Sequence, residues 1–276
     1  MSTNLELQRV NELERLRGFS NLFKKESRAW WRSRRWWINA ILWTGFLGGF
    51  TAIMLFLSNS EVMEATGDEI AQAGGLLEYT LEVGQSVFFE FGIPMLAIGT
   101  IILTQDAILG ENQNGVAEWL LSKPVNRQAY ILAKTTANVF PILIFLVGLP
   151  SAAVYTMLSI RGAVLYPAGD YIAAVGIMTI HTLFYLSLTL MLGTFFNNRG
   201  PILGITLGSV LGGGIIGGFI KQLLYVTPWM LPKIGFMTSS GQPVPGAIGI
   251  SPIISSAILS IGFIFVAIRK FEQKEF

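Results

Sequence analysis

Six apolar runs, each near the ~20 residues that an α-helix needs to cross a hydrocarbon core, restrict what this chain can fold into. They lie at about 37–57, 84–104, 129–160, 171–195, 202–220 and 250–268. No water reaches that depth to satisfy backbone amides, so each run must close its own hydrogen bonds as a helix. The implied fold class is an all-α polytopic membrane protein with six transmembrane helices. Hydrophobic residues make up 52% of the chain and charged residues 13%, against about a quarter charged in a soluble domain. Pro94, Pro141 and Pro150 fall inside runs, where each removes a backbone donor and predicts a kink.

Orientation follows from the basic residues rather than from the net charge of +2. With both termini in the cytoplasm, sixteen of the nineteen Lys and Arg fall on the inner side. Only Arg161, Lys221 and Lys233 lie outside. The outer loop at 58–83 carries Glu61, Glu64, Asp68, Glu69, Glu78 and Glu82 without a Lys or Arg. It reads either as a solvated loop or as a vestibule that concentrates cations.

Ahead of the first run there is no compact apolar core followed by a small-residue cleavage site, so 1–37 does not read as a signal peptide. Residues 5–16 read as a short polar helix. The next stretch interleaves Lys24, Lys25, Arg28, Arg32, Arg34 and Arg35 with Trp30, Trp31, Trp36 and Trp37. Phe19, Leu22, Phe23, Trp30 and Trp37 share one helical face, interrupted by Glu26 and Ser33. This pattern predicts an in-plane helix, with rings at the headgroups and cations on anionic lipid phosphates. Aromatic–basic interleaving also occurs in nucleic-acid binders, but four Trp abutting a span favour the membrane, and no nucleic-acid partner is expected.

The segment 106–134 is the most structured polar interruption. Asn114 is placed to cap a short helix over 115–122, closed by Pro124, and Asn126 to cap the next from Arg127. Val116, Trp119 and Leu120 fall on one side of the short helix, with Glu118 and Ser122 off that stripe. Such a helix can lie at the water–lipid boundary and face a soluble partner, or be an ordinary interfacial loop helix.

Glu111, Gly115, Leu120-Leu121-Ser122, Pro124-Val125, Arg127 and Lys134 resemble the cytoplasmic signature of the ABC-2-type permeases, the membrane subunits of ATP-driven exporters and related prokaryotic transporters. Val116 and Asn126 stand where that family usually has Thr and Ser. The resemblance implies a coupling element at 105–128 that docks on a separate ATP-binding subunit. It implies an elbow helix within 1–36, a permease domain over 37–268, a tail at 269–276, and a location in the prokaryotic plasma (inner) membrane. Two ATP-binding subunits would clamp beneath two permease chains, as a homodimer or heterodimer. Glu111, Gly115, Glu118, Trp119, Arg127 and Lys134 are the expected coupling residues, with Glu111 and Arg127 at the docking end.

The third run is long because its first turns, Lys134 included, should emerge on the cytoplasmic side; elsewhere two ionisable side chains sit within runs, Glu90 towards the outer end of the second and His181 near the middle of the fourth. Such groups usually face a bundle interior or a water-filled cavity. They either line a translocation path, or Glu90 reaches the headgroups and neutral His181 bonds a neighbouring helix. In the fifth run Gly208 and Gly212, and Gly213 and Gly217, are spaced four apart, which suits close helix packing within the chain or between chains. The segment 221–249 is apolar but broken by Pro228, Pro232, Pro243 and Pro245. It reads as a partly re-entrant cap, or as an interfacial loop anchored by Tyr225 and Trp229.

Absences restrict the chemistry. There is no cysteine and one histidine, hence no disulfide, thiol nucleophile or multi-histidine metal centre. The glycine-rich phosphate loop is missing, as are G-x-S-x-G and H-E-x-x-H. The chain is therefore expected to be no enzyme and to hold no cofactor, with ATP and magnesium on the partner. The expected function is outward movement of a substrate by alternating access. The other reading is a membrane scaffold that recruits a soluble partner without transporting.

Because the chain has no cysteine, single substitutions report topology cleanly. In intact cells a membrane-impermeant maleimide should label Ala71→Cys and spare Gly115→Cys; labelling of Gly115→Cys from outside would overturn the orientation.

Overall fold

The computed structural model describes residues 16–57, 67–121, 125–244 and 246–273. The expected polar helix at 5–16, Glu61 and Glu64, the closing residues Ser122 and Pro124, and the Glu118 side chain lie outside what is described. Six helices are long and apolar enough to cross a membrane: Arg35–Leu57, Leu76–Glu111, Arg127–Arg161, Ala168–Phe195, Arg199–Phe219 and Gly249–Glu272, numbered spans 1 to 6 in chain order. Among the described residues four shorter α-helices lie outside the spans: Gly67–Gln72 in the first outer loop, and three that pack against the spans or join them, α1 (Phe19–Trp31), α2 (Val116–Leu121) and α3 (Leu231–Ser239).

Span 4 is the most enclosed of the six, while spans 1, 5 and 6 keep broad exposed faces. The largest core joins α1 and spans 1, 2, 3, 4 and 6, through Trp30, Leu47, Phe88, Tyr130, Met178 and Phe271 among others. A second core sets Ala97 and Ile101 of span 2 against Phe184 and Leu188 of span 4 and Ile202 of span 5.

The helices outrun their apolar runs, because a helix need not stop where hydrocarbon does. Span 2 begins at Leu76, so Glu78 and Glu82 stand on a helix rather than in a loop. At its other end, after a turn at Gln105, it continues as Asp106–Gln113. The intramembrane prolines are accommodated by wider turns. A π-helical stretch over Val87–Phe91 precedes Pro94, and another over Leu143–Gly148 lies between Pro141 and Pro150. Such turns are one way a helix absorbs a donor it lacks. Span 1 has two further π stretches, Thr44–Gly48 and Ile53–Leu57, and no proline accounts for those.

The basic aromatic stretch is not one helix. α1 stops at Trp31 and span 1 starts at Arg35. Ser33 sits between them, its hydroxyl donating to the Trp30 carbonyl at 3.1 Å and accepting the Arg35 N–H at 3.2 Å. This removes Trp37 from the face that carries Leu22 and Trp30. Those two residues are buried, whereas Trp31, Trp36 and Trp37 are exposed.

Glycines admit large side chains between helices. A Cβ at Gly99 of span 2 would overlap the Trp43 ring of span 1, and one at Gly84 would lie 2.6 Å from Leu55. The segment 221–249 does not span. It makes short helical turns at Lys221–Tyr225 and Pro228–Met230, then α3, which buries Leu231 and Ile234 beside Ile177 of span 4. Trp229 is not a headgroup anchor: its ring lies over Gly213 and its Nε1 donates to Ser209 Oγ at 3.3 Å.

Gly99→Ala should therefore force Trp43 from its place and destabilise the protein by about 1–3 kcal/mol. The check is a lowered melting temperature in detergent, with Gly204→Ala, where a Cβ meets open space, left near wild type.

Candidate functional site

The polar chemistry converges at the end of the bundle where span 2 gives way to α2 and span 3. Asn126 caps span 3 as expected, its side chain accepting the Gln128 N–H at 2.9 Å. From that start Tyr130, Lys134 and Asn138 come at four-residue intervals and form one stripe along the helix. The stripe faces α1 and the end of span 2.

Lys134 is 2% exposed. Its Nζ lies 3.0 Å from Glu111 Oε2 of span 2 and 3.2 Å from Glu26 Oε1 of α1. Lys25 closes the cluster, 2.6 Å from Glu111 Oε1 and 3.6 Å from Glu26 Oε1. The Tyr130 hydroxyl donates to Glu111 Oε2 at 2.7 Å. Deeper along the stripe, Trp30 Nε1 donates to Asn138 Oδ1 at 3.1 Å, and Asn138 Nδ2 donates to the Lys134 carbonyl at 2.8 Å. Two cations thus balance two carboxylates drawn from three helices. Burial opposes the charge on Lys25, and the carboxylates of Glu111 and Glu26 outweigh it, so the Lys25 ammonium is held above the ordinary lysine range.

Other ties bring in the remaining elements. Arg199 Nε, which opens span 5, lies 2.8 Å from Asp106 Oδ1, and Gln113 Nε2 donates to the Asn197 carbonyl at 2.7 Å. Arg127 Nη1 donates to the Glu272 carbonyl at 2.5 Å, and Gln128 Nε2 to Glu272 Oε1 at 2.8 Å. The Tyr130 and Phe271 rings stack at 4.8 Å, so the end of span 6 is pinned to the start of span 3. The Asn126 N–H donates to the Arg17 carbonyl at 3.1 Å. Beside that bond Gly18 has φ +88 with Val125 packed against it, a place only glycine fills without strain.

The short helix differs from its expected form in two respects. It begins at Val116, after Gly115 at φ +67, the left-handed conformation with which helices commonly end at glycine. The segment is therefore a helix end, a glycine joint and a second helix. Its apolar stripe is also split: Leu120 is buried and Val116 packs against the core, while Trp119 is 60% exposed.

Of the expected coupling residues, Glu111 and Lys134 meet in the ion cluster and Arg127 lies at the span 6 tie. Gly115 forms the joint and Trp119 is exposed on the helix after it. Glu26, Lys25, Tyr130, Asn138, Asp106 and Glu272 were missed by sequence reasoning. The Tyr130–Lys134–Asn138 spacing, and Glu26 interrupting the apolar face of α1, were the signals available. Glu90 and His181 are not brought together. Glu90 is exposed on its π stretch, accepting from Ser86 Oγ at 3.2 Å. His181 is buried against Tyr185, ring centroids 5.0 Å apart, with Nδ1 unpartnered. The glycine stripe divides as well: Gly213 and Gly217 receive Trp229 and Leu224 of this chain, whereas a Cβ at Gly208 would meet nothing and one at Gly212 only Ile216 of its own helix.

The family model for ABC-2 family transporter proteins matches residues 20–275, α1 and all six spans included. The chain belongs to that family. A search of curated proteins finds no match. The chain is therefore a multi-pass membrane permease of the ABC transporter class, and ABC-2 permeases generally work with an ATP-binding cassette subunit.

Removing Lys134 leaves the two largely buried carboxylates of Glu26 and Glu111 to share Lys25 alone. Lys134→Met should cost about 3–5 kcal/mol, and the double variant with Glu111→Gln should recover part of that loss. Denaturant titration of the detergent-solubilised protein reads both.

Proposed function

We propose that this ABC-2 chain is the pathway-forming subunit of an exporter, moving its substrate outward by alternating access under the drive of a separate ATP-binding subunit that carries ATP and magnesium. The observation that supports this most is the convergence of α1 and the ends of spans 2 to 6 on the segment 106–134. A push on that segment reaches each of those helices through a direct polar contact. To turn a gate from about 1:99 to 99:1, the nucleotide-bound partner must favour one state by about 5.5 kcal/mol. Fastenings that cost several kcal/mol to break can pass on a bias of that size instead of slipping.

In this reading α2 is the docking helix. Trp119 meets the partner, Leu120 and Val116 anchor the helix to the core, and Gly115 lets it tilt on the end of span 2. Glu111, Lys134 and Arg127 pass the motion into spans 3 and 6 and do not touch the partner. A second permease chain would pack along the open face of span 5, where Gly208 and Gly212 lie beside exposed Leu211 and Ile215. Glu90 would border the path only once that second chain covers its face, and His181 would find a partner for Nδ1 in the alternate state.

Coexpressed ATP-binding subunit should copurify with the wild type and be lost with Trp119→Ala or Glu118→Arg, while both variants keep wild-type melting temperatures. Unchanged copurification together with unchanged stimulated ATPase activity would defeat the assignment of α2.

A further inference from the structure

Beside the ion cluster lies a half-enclosed cavity of about 370 Å³ between α1 and spans 1, 2 and 3. Five charged side chains line it: Glu26, Arg35, Asp106, Glu111 and Lys134. The carboxylates are all engaged, Glu26 and Glu111 by Lys25 and Lys134, and Asp106 by Arg199. Arg35 is the remaining cation. Its backbone is held, since the Arg35 carbonyl accepts Asn39 Nδ2 at 2.8 Å, but its guanidinium has no partner among the described residues. The cavity with its paired neighbours thus carries four cations against three carboxylates, and the excess charge is on Arg35.

The surroundings indicate where a balancing anion comes from. Ile102, which lines the cavity, is 54% exposed on a helix long and apolar enough to cross a membrane. Trp31, Trp36 and Trp37 flank the same place with exposed rings, as side chains do at headgroup level. Arg28 and Arg32 belong to the same basic stretch but do not line the cavity.

We propose that this cavity is a specific phospholipid site in which Arg35 binds the headgroup phosphodiester, while the acyl chains lie along span 2 by Ile102. Guanidinium is suited to this, because its fixed fork matches two phosphate oxygens. The bound lipid would sit against Lys134, Glu26 and Asn138 and fill the gap between α1 and span 3. This inference is independent of the transport reading.

The full-length protein, delipidated in detergent, is given phosphatidylglycerol, diacylglycerol of the same chains, or inorganic phosphate. Native mass spectrometry counts bound lipid and a melting curve reads stability. Phosphatidylglycerol should bind and raise the melting temperature; diacylglycerol should do neither. Arg35→Gln should weaken binding about tenfold or more, the size of one charge-assisted contact. Arg35→Lys should restore part of it, and Arg32→Gln should bind as the wild type does. Equal binding by Arg35→Gln, or equal loss in Arg32→Gln, overturns the site. Stabilisation by inorganic phosphate to the same degree as by phosphatidylglycerol overturns the lipid assignment in favour of a soluble phosphate. Arg35 is exposed, so a misfolded Arg35→Gln is not expected; comparing its lipid-free melting temperature with that of lipid-free wild type separates binding from folding.

Discussion

A charge placed where helices leave the hydrocarbon must find a counter-charge or remain in water, and in this protein that requirement fixes the polar end of the bundle. Lys134 is almost fully enclosed, so its ammonium is tolerable only because Glu26 and Glu111 lie within 3.2 Å. Those carboxylates come from an N-terminal helix, 108 residues from Lys134 in sequence, and from the far end of span 2. Neither attraction nor packing alone would set their positions so narrowly. An apolar contact tolerates sliding by a fraction of a turn, whereas a carboxylate shared by two ammoniums and a phenol does not. The cluster therefore sets the register of α1 on span 3, and Trp30 and Asn138 continue that register one turn deeper.

Inside the membrane the rules change, because lipid tails attract a leucine as well as another helix does. Association there depends on close fit, and large side chains are set against glycine: Trp43 on Gly99, Leu55 on Gly84, Trp229 on Gly213, Leu224 on Gly217. Two of these pairs join spans 1 and 2, and two hold the segment after span 5 against span 5. Dispersion over such surfaces is non-directional, so these contacts stiffen neighbours in pairs without tying the whole bundle together. The polar end is a network and the glycine contacts are pairwise.

This contrast explains what is legible from residues alone. The spans are, because the bilayer imposes a length and an apolar composition on each run. Their ends are not, since Glu78 and Glu82 are compatible with loop or helix once water is near. Asn126 is legible as a cap, because capping is a local matter. Gly115 is legible as important, but its role as a left-handed helix end depends on Asp106–Gln113 being helical, which the polar composition hides. Lys134 reads as a coupling residue through the family resemblance, but its enclosure does not show in the sequence. Only the approach of α1 buries it, and nothing local announces that approach. The same holds for Trp229: a Trp in an interfacial loop reads as an anchor until Gly213 is placed under it.

The two kinds of fastening also differ in how they would yield. A glycine–aromatic contact weakens gradually, as surfaces part by tenths of an ångström and dispersion falls away. A buried ion cluster does not: to open it, water must enter or each charge must keep a partner throughout. Motion at the polar end is therefore cheapest when α1, the end of span 2 and the start of span 3 move as one body, with Glu26, Glu111 and Lys134 held together. The freedom left to that body lies at its borders, at Gly115 on the α2 side and at the turn over 32–34 before span 1. Along the bundle, the π stretches beside Pro94 and between Pro141 and Pro150 are the places where spans 2 and 3 have already given up regular hydrogen bonding. A rigid polar block above two pre-loosened helices would concentrate bending within the membrane rather than at its surface.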